Sequence, residues 1–313
     1  MSNNLTISAS PHIHSGRSTW RIMLDVIISL LPATVAGCII FGMRALLVVA
    51  LTVACSVGFE ALFNLITKRK QTLGDLSAVV TGLLLSLNLP ATVPLWQCVI
   101  GALFAIVVVK CLFGGLGCNP VNPAITARVF MLVSFGSMAK AAFPTVVDTV
   151  AGATPLASGG TTSLTDLLLG LHGGSIGETC AIALLAGFIY LLVRRVISWH
   201  LPVTFVGTVF VLTLCFGGFD FQAALAAVLS GGLLIGAIFM ATDYVTSPST
   251  AWGKVIFGVG AGLITFVIRY AYVKSGTGIT EGVSYAILLM NIITPFIDSW
   301  TRHKVFGTGG KKA

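Results

Sequence analysis

The sequence predicts an all-α integral membrane protein of about ten transmembrane helices, arranged as two inverted five-helix repeats that contain broken helices. Three observations lead there. Of 313 residues, 56% are hydrophobic and only 9% charged, against roughly 25% charged in a soluble domain, and the mean hydropathy is +0.99. Apolar runs of about bilayer-spanning length recur along the whole chain, so residues 1–313 read as a single polytopic membrane domain. Finally, some runs are too short to cross and are interrupted by Gly or Pro at corresponding places in the two halves.

Residues 1–19 are polar and without apolar period, a short cytoplasmic tail. The first span is Leu24 to Phe41, and a break at Gly42-Met43-Arg44 leads to the second, Leu46 to Ile66. Lys68-Arg69-Lys70 follows and marks the cytoplasmic side. Val35-Ala36-Gly37-Cys38 resembles a lipoprotein cleavage box, but further spans follow at once where a removable signal would lead into an exported domain. The third run, Ala78 to Leu89, makes a helix of only about 18 Å against a hydrocarbon core of about 30 Å. It is therefore a broken or re-entrant span, stopped by Pro90.

Leu95 to Phe113 is a fuller span, followed by Gly114-Gly115-Leu116-Gly117-Cys118-Asn119-Pro120-Val121-Asn122-Pro123-Ala124. Its two Asn-Pro pairs read as helix starts, Asn as cap and Pro as first helical residue, leading into Ile125 to Met138. After Lys140 the loop to Ile176 has no cation but carries Asp148 and Asp166, so 140–176 is extracytoplasmic. Thr179 to Val193 returns to Arg194-Arg195, and Leu201 to Phe216, Phe221 to Ala241, Val255 to Tyr272 and Gly282 to Ile297 complete the ten. Both termini then lie in the cytoplasm, with every cation cluster on that side.

The repeat is read from two matches. Gly82-Leu83-Leu84 matches Gly232-Leu233-Leu234 (232 − 82 = 150), and Asn119 to Ile125 aligns with Glu281 to Ile287 (281 − 119 = 162). The halves are five spans apart, an odd number, which inverts them across the membrane and points to a site near the midplane.

The net charge of +8 follows the positive-inside pattern and forms no basic face, so no nucleic-acid partner is expected and the bilayer is the medium. Seven cysteines lie scattered through apolar sequence without a C-x-x-C pair, which implies neither a disulfide framework nor a zinc site, and no metal site. The chain has ten acidic residues, and ionisable groups inside a membrane are costly and usually functional. Asp25, Glu60 and Asp75 read as interfacial, solvated or paired with Arg21 or the Lys68 cluster, whereas Asp243 and Glu281, at helix breaks in the second half, are the candidates for ion coupling. Arg128, one turn into an apolar helix, is placed to hold a phosphate or a reduced flavin with the helix N-terminus, unless it snorkels to the surface. The loop Asp148 to Leu156 holds Thr154 before Pro155, which keeps it extended and accessible. By composition alone that loop is a flexible linker.

The blocks Gly114 to Ala124, Gly152 to Leu156 (GATPL), Met240 to Pro248 (MATDYVTSP), Gly253-Lys254 and Glu281 to Asp298 resemble, in order, the D subunits of Rnf ferredoxin:NAD oxidoreductase complexes and the related B subunit of the sodium-pumping NADH:quinone reductase. The resemblance implies a urea- and ammonium-channel-like fold. It also implies a multi-pass subunit in a bacterial cell membrane that relays electrons between ferredoxin and NAD through partner subunits carrying iron-sulfur centres and flavins, coupled to Na⁺ or H⁺. A flavin transferase of that family recognises Asp-x-x-Ser/Thr-Gly-Ala-Ser/Thr and attaches FMN to the last residue through a phosphoester. Here the motif is Asp148-Thr149-Val150-Ala151-Gly152-Ala153-Thr154, which places FMN on Thr154, with Asp148, Gly152, Ala153 and Pro155 as its setting. Ala151 departs from the family's Ser or Thr. Non-covalent riboflavin is implied by analogy with the quinone reductase, and Asn119, Asn122 and Arg128 are candidate flavin contacts. The rival expectation is a redox-free solute channel or transporter of the same inverted-repeat architecture. No complete active site is expected in this chain alone, and none of its residues is expected to be catalytic.

Overall fold

The computed structural model describes residues 18–136, 163–275 and 282–302, which form helices and loops with no β-strand among the described residues. Ser18 caps α1 (Thr19–Phe41), its hydroxyl accepting from the Arg21 N–H at 3.4 Å. The helix therefore begins five residues before the apolar run does. Gly42, at φ 73°, turns the chain into α2 (Met43–Ile66).

After a 3₁₀ turn at Leu73–Asp75 comes α3 (Ser77–Leu87), only 11 residues long and hence about 16 Å. It ends before Pro90, with Asn88 bonding back to the Leu84 carbonyl at 2.7 Å. Next, α4 (Leu95–Leu103) passes without a break into a π-helical segment, Phe104–Cys111. The expected pair of helix starts is corrected to one. Asn119 turns its amide to the Val121 carbonyl (3.0 Å) and caps nothing, while Asn122 Oδ1 accepts from the Ala124 and Ile125 N–H groups and starts α5 (Pro123–Ser134).

The second part holds α6 (Leu164–Leu169), α7 (Ala181–Val193), α8 (His200–Phe216), α9 (Phe221–Leu229), α10 (Leu233–Ile235) continued by a π segment Gly236–Met240, α11 (Ala251–Ser275) and α12 (Gly282–Thr301). The single span expected from Phe221 to Ala241 is broken, with a 63° bend. Gly231 and Gly232 sit at φ 66° and 68°, backbone that a side chain rarely tolerates. Arg269 of α11 donates to the carbonyls of Ala227, Ser230 and Gly231, satisfying groups that the break strips from the helical ladder.

The chain is a multi-pass membrane protein. Among the described residues α1, α2, α11 and α12 are long and apolar enough to cross a bilayer, and the bent α9–α10 pair makes a fifth candidate. Five further apolar helices are shorter, α3, α4 with its π segment, α5, α7 and α8. Ile39, Ile66, Val133, Val193 and Trp300 are each more than two-thirds exposed, an apolar outer surface that suits lipid rather than water. Inside, α2 packs on α3 and α4, α8 on α9 and α11, α11 on α12, α1 on α7 and α5 on α12. The close approach of α1 and α7 depends on Gly187, where an added Cβ would strike the Ser29 carbonyl.

Candidate functional site: a cavity at the basic end

A cavity opens at the end of the bundle that carries Lys68–Lys70 and Arg194-Arg195. It is lined by the first turns of α1 (Ile22, Met23, Val26) and α3 (Ser77, Val80, Thr81, Leu84), by Lys110, and by Leu116 to Ala124 in part. Leu191, Ile197, Phe239 and the loop Thr242 to Val245 close it. It encloses about 790 Å³ of atom-free space counting its mouth, within the range of small-molecule sites. Its broad walls are aliphatic and aromatic, and its polar residues (Ser77, Thr81, Lys110, Asn119, Asn122, Thr242, Asp243, Tyr244) are the minority, the pattern of a ligand site.

The two parts of the chain meet at its floor. Asn122 caps α5 with its oxygen and donates through Nδ2 to the Met240 carbonyl at 3.1 Å. Asn88 reaches Met240 Sδ at 3.6 Å, and in the orientation that satisfies both ends of its amide, Asn291 accepts from the Asn122 N–H at 3.1 Å and donates to the Ile287 carbonyl. Three buried asparagines thus hold α3, α5 and α12 around the π segment at Gly236–Met240. π segments often mark functional sites, and both of those here border the cavity, one through Lys110 and one through Phe239.

Asp243 lies in the cavity wall, in the loop beyond that π segment. Burial pushes its carboxyl above the usual range, opposed by hydrogen bonds from Thr246 Oγ1 (3.2 Å) and the backbone of Val245 and Tyr244. Arg128 does not line the cavity. It is buried one helical turn beyond Ala124, where its guanidinium meets Glu178 Oε1 at 3.5 Å and Ser175 Oγ at 3.4 Å. Snorkelling is thereby excluded, since Arg128 is 1% exposed. Glu178 belongs to the connection 170–180, whose Ile176 and Gly177 N–H groups bond the Leu89 and Leu87 carbonyls at the end of α3. Asp148, Gly152, Ala153, Thr154, Pro155 and Glu281 lie outside the described residues.

The partners expected of the first three acids are corrected in two cases. Asp25 accepts from Tyr190 of α7 (3.0 Å) and from Arg194 just beyond it (3.2 Å), not from Arg21. Glu60 is 2% exposed and pairs at 2.9 Å with Lys110, not with the Lys68 cluster. Asp75 accepts from the Ser77 N–H and hydroxyl at 2.9 and 2.6 Å, supporting the start of α3. Sequence reasoning misses Lys110 and Glu178. The signal is present, a lone cation in Val107-Val108-Val109-Lys110-Cys111 and a lone anion in Gly173-Gly174-Ser175-Ile176-Gly177-Glu178.

Fold and cavity together define a multi-pass α-helical membrane protein with a ligand-sized site built from broken helices. Within that class the sequence is specific, and residues 6–307 match the model of the NQR2, RnfD, RnfE family. The chain belongs to that family. It is 46% identical to the D subunit of the Na⁺-translocating ferredoxin:NAD⁺ oxidoreductase complex of Acetobacterium woodii, over 97% of this chain and 96% of that one. It is 40% identical to the D subunit of the proton-translocating ferredoxin:NAD⁺ oxidoreductase complex of Clostridium ljungdahlii, over 98% and 97%, and 35% identical to the D subunit of the ion-translocating oxidoreductase complex of Cronobacter sakazakii, over 96% and 98%.

Proposed function

We propose that this chain is the membrane subunit of an ion-translocating electron-transport complex, relaying electrons between ferredoxin and NAD through partner subunits, coupled to Na⁺ or H⁺. The observation that carries the reading is the basic-end cavity in a chain whose relatives, matched end to end, are named as such subunits. The reading includes FMN joined by a phosphoester to Thr154, attached by a flavin transferase at Asp148 to Thr154, and a second, non-covalent flavin of the riboflavin type in the cavity. The cavity's donor set suits an isoalloxazine. Leu84, Leu191, Ile197 and Phe239 offer apolar faces, while Asn119, Thr242, Ser77 and Lys110 offer hydrogen-bond partners for a heteroatom edge. A bound flavin supplies the one- and two-electron chemistry, and the chain supplies position, dryness and charge.

The same reading takes the fold as ten crossing or re-entrant elements in two inverted halves, α1–α5 and α7–α12 with α9 and α10 counted as one. Its support is the packing, in which α2 beside α3 and α4 corresponds to α8 beside α9 and α11, and the third element of each half is short or broken. Asp243 and Glu281 remain the proposed ion-coupling acids, and both termini are assigned to the cytoplasmic face of a bacterial cell membrane.

The test is to produce the chain together with its flavin transferase and examine it denatured. A fluorescent gel band, an intact mass raised by one FMN less one water, and loss of both in Thr154→Val are expected. A dark, unmodified wild-type chain refutes the covalent assignment, and fluorescence that survives Thr154→Val refutes the site.

A further inference from the structure

Lys110 is a full charge in the wall of an apolar cavity, and its surroundings are asymmetric. Its side chain is 2% exposed and lies in the π segment Phe104–Cys111, directly after Ile106, Val107, Val108 and Val109. The ammonium donates to Glu60 Oε2 at 2.9 Å and Ser77 Oγ at 2.6 Å. Glu60 is fixed from the other side, because Oε1 accepts from Thr72 Oγ1 at 2.6 Å and that hydroxyl in turn accepts from Asn64 Nδ2 at 3.1 Å. The Ser77 hydroxyl in turn donates to Asp75 Oδ1 at 2.6 Å.

Lys110 and Ser77 line the cavity and Glu60 does not. The cationic partner of the pair thus belongs to the cavity wall and the anionic partner lies outside it, so the pair's positive end is the nearer to an occupant. An ammonium has three N–H donors, and Glu60 and Ser77 account for two of them. The third is left for an acceptor in the cavity.

We infer that Lys110 holds the electron-rich edge of the cavity's flavin and sets its reduction potential, with Glu60 as the fixed counter-charge behind it. The inference rests on the flavin reading of the cavity given above. Taking up two electrons and one proton leaves an isoalloxazine with one net negative charge. A cation at its edge, in surroundings of low dielectric, favours that form over the neutral oxidised one. Glu60 acts in the opposite sense from a greater distance, and the two residues consequently push the potential in opposite directions.

That difference of sign is the test. The full chain is purified in detergent in a Thr154→Val background, so that the covalent site contributes no flavin, and the remaining flavin is titrated optically with dithionite. Lys110→Gln is expected to lower the preference for reduced over oxidised flavin about tenfold, a fall of about 30 mV for a two-electron couple. Glu60→Gln is expected to raise the potential, and Lys110→Arg, which keeps the cation, to leave it near the parent value. A potential unmoved in Lys110→Gln, shifts of the same sign in Lys110→Gln and Glu60→Gln, or Lys110→Arg behaving like Lys110→Gln would each overturn the role of Lys110 while leaving the cavity as a flavin site. Absence of any non-covalent flavin in the parent chain overturns the cavity reading and this inference with it. Should Lys110→Gln lose its flavin while Lys110→Arg keeps it, the holding role is supported, and Glu60→Gln then decides the potential.

Discussion

Replacing Arg128 by Met tests whether the connection 170–180 is pinned across the molecule by charge. Arg128 and Glu178 are joined at 3.5 Å with side chains 2% and 7% exposed, and Glu178 Oε2 also accepts from the Ser175 N–H at 3.4 Å. Arg128→Met keeps much of the aliphatic volume but takes the guanidinium away from a buried carboxylate. Breaking a buried pair in this way costs about 3–5 kcal/mol, and the weak 3.5 Å geometry places the expectation at the lower end, about 3 kcal/mol. Glu178→Gln leaves the guanidinium facing a neutral amide that still accepts a hydrogen bond, so its loss should be smaller, about 1–3 kcal/mol. In the double variant neither buried charge remains, and much of the loss should return. The assay is SDS-driven unfolding in mixed micelles for the parent, both singles and the double. A coupling energy above about 1 kcal/mol is expected. Single effects that simply add would show that the two residues do not act together in pinning the connection.

Other outcomes follow from the same geometry. Asn122→Ala removes a helix cap worth about 1 kcal/mol and the bond to the Met240 carbonyl worth about another, and should cost roughly 2 kcal/mol in the same assay; a neutral result would contradict the stitching of the two halves at the cavity floor. Gly187→Leu should disrupt packing of α1 on α7, seen as loss of monodisperse protein after detergent extraction, whereas Gly207→Ala, with open space around its Cβ position, should not. Asp243 has a carboxyl pKa raised by burial, so the folded chain keeps a proton there at pH values where the unfolded chain has lost it. Stability contributed by this group is therefore present below about pH 4, the unfolded pKa, and is lost as pH rises through the raised folded value. Asp243→Asn should match the parent at the acid end and gain on it toward neutral pH in thermal melts, and a parent that gains on the variant instead would reverse the assignment.

Much of the fold is legible in the sequence because its determinants are local. The apolar runs are set by composition, the start of α5 by Asn122-Pro123, and the shortness of α3 by the distance from Ser77 to Pro90. The break between α9 and α10 is only partly readable, because Ser230-Gly231-Gly232 marks a weak point in Phe221 to Ala241 but what stabilises the break is Arg269, some forty residues further on. The site divides in the same way. Asn119, Asn122 and Asp243 stand out as polar residues near prolines or breaks and do line the cavity. Arg128 reads as buried but is assigned to a ligand, since nothing nearby in sequence announces Glu178. Lys110 escapes notice because its partner Glu60 is fifty residues away on α2, and a cation near the end of an apolar run ordinarily reads as a marker of membrane orientation.

The capping of α3 also sets the order in which the protein can be made. The carbonyls of Leu87 and Leu89 receive their N–H partners from Gly177 and Ile176, close to ninety residues later in the chain. At roughly 5–20 residues per second of synthesis, these groups wait several seconds for partners. Bare carbonyls in hydrocarbon cost several kcal/mol each, so α3 cannot take its final depth as it emerges. The end of α3 stays beside water or an insertion factor until the middle of the chain arrives, and ribosome-bound chains that stop short of Gly177 should remain more accessible at Asn88 than full-length ones.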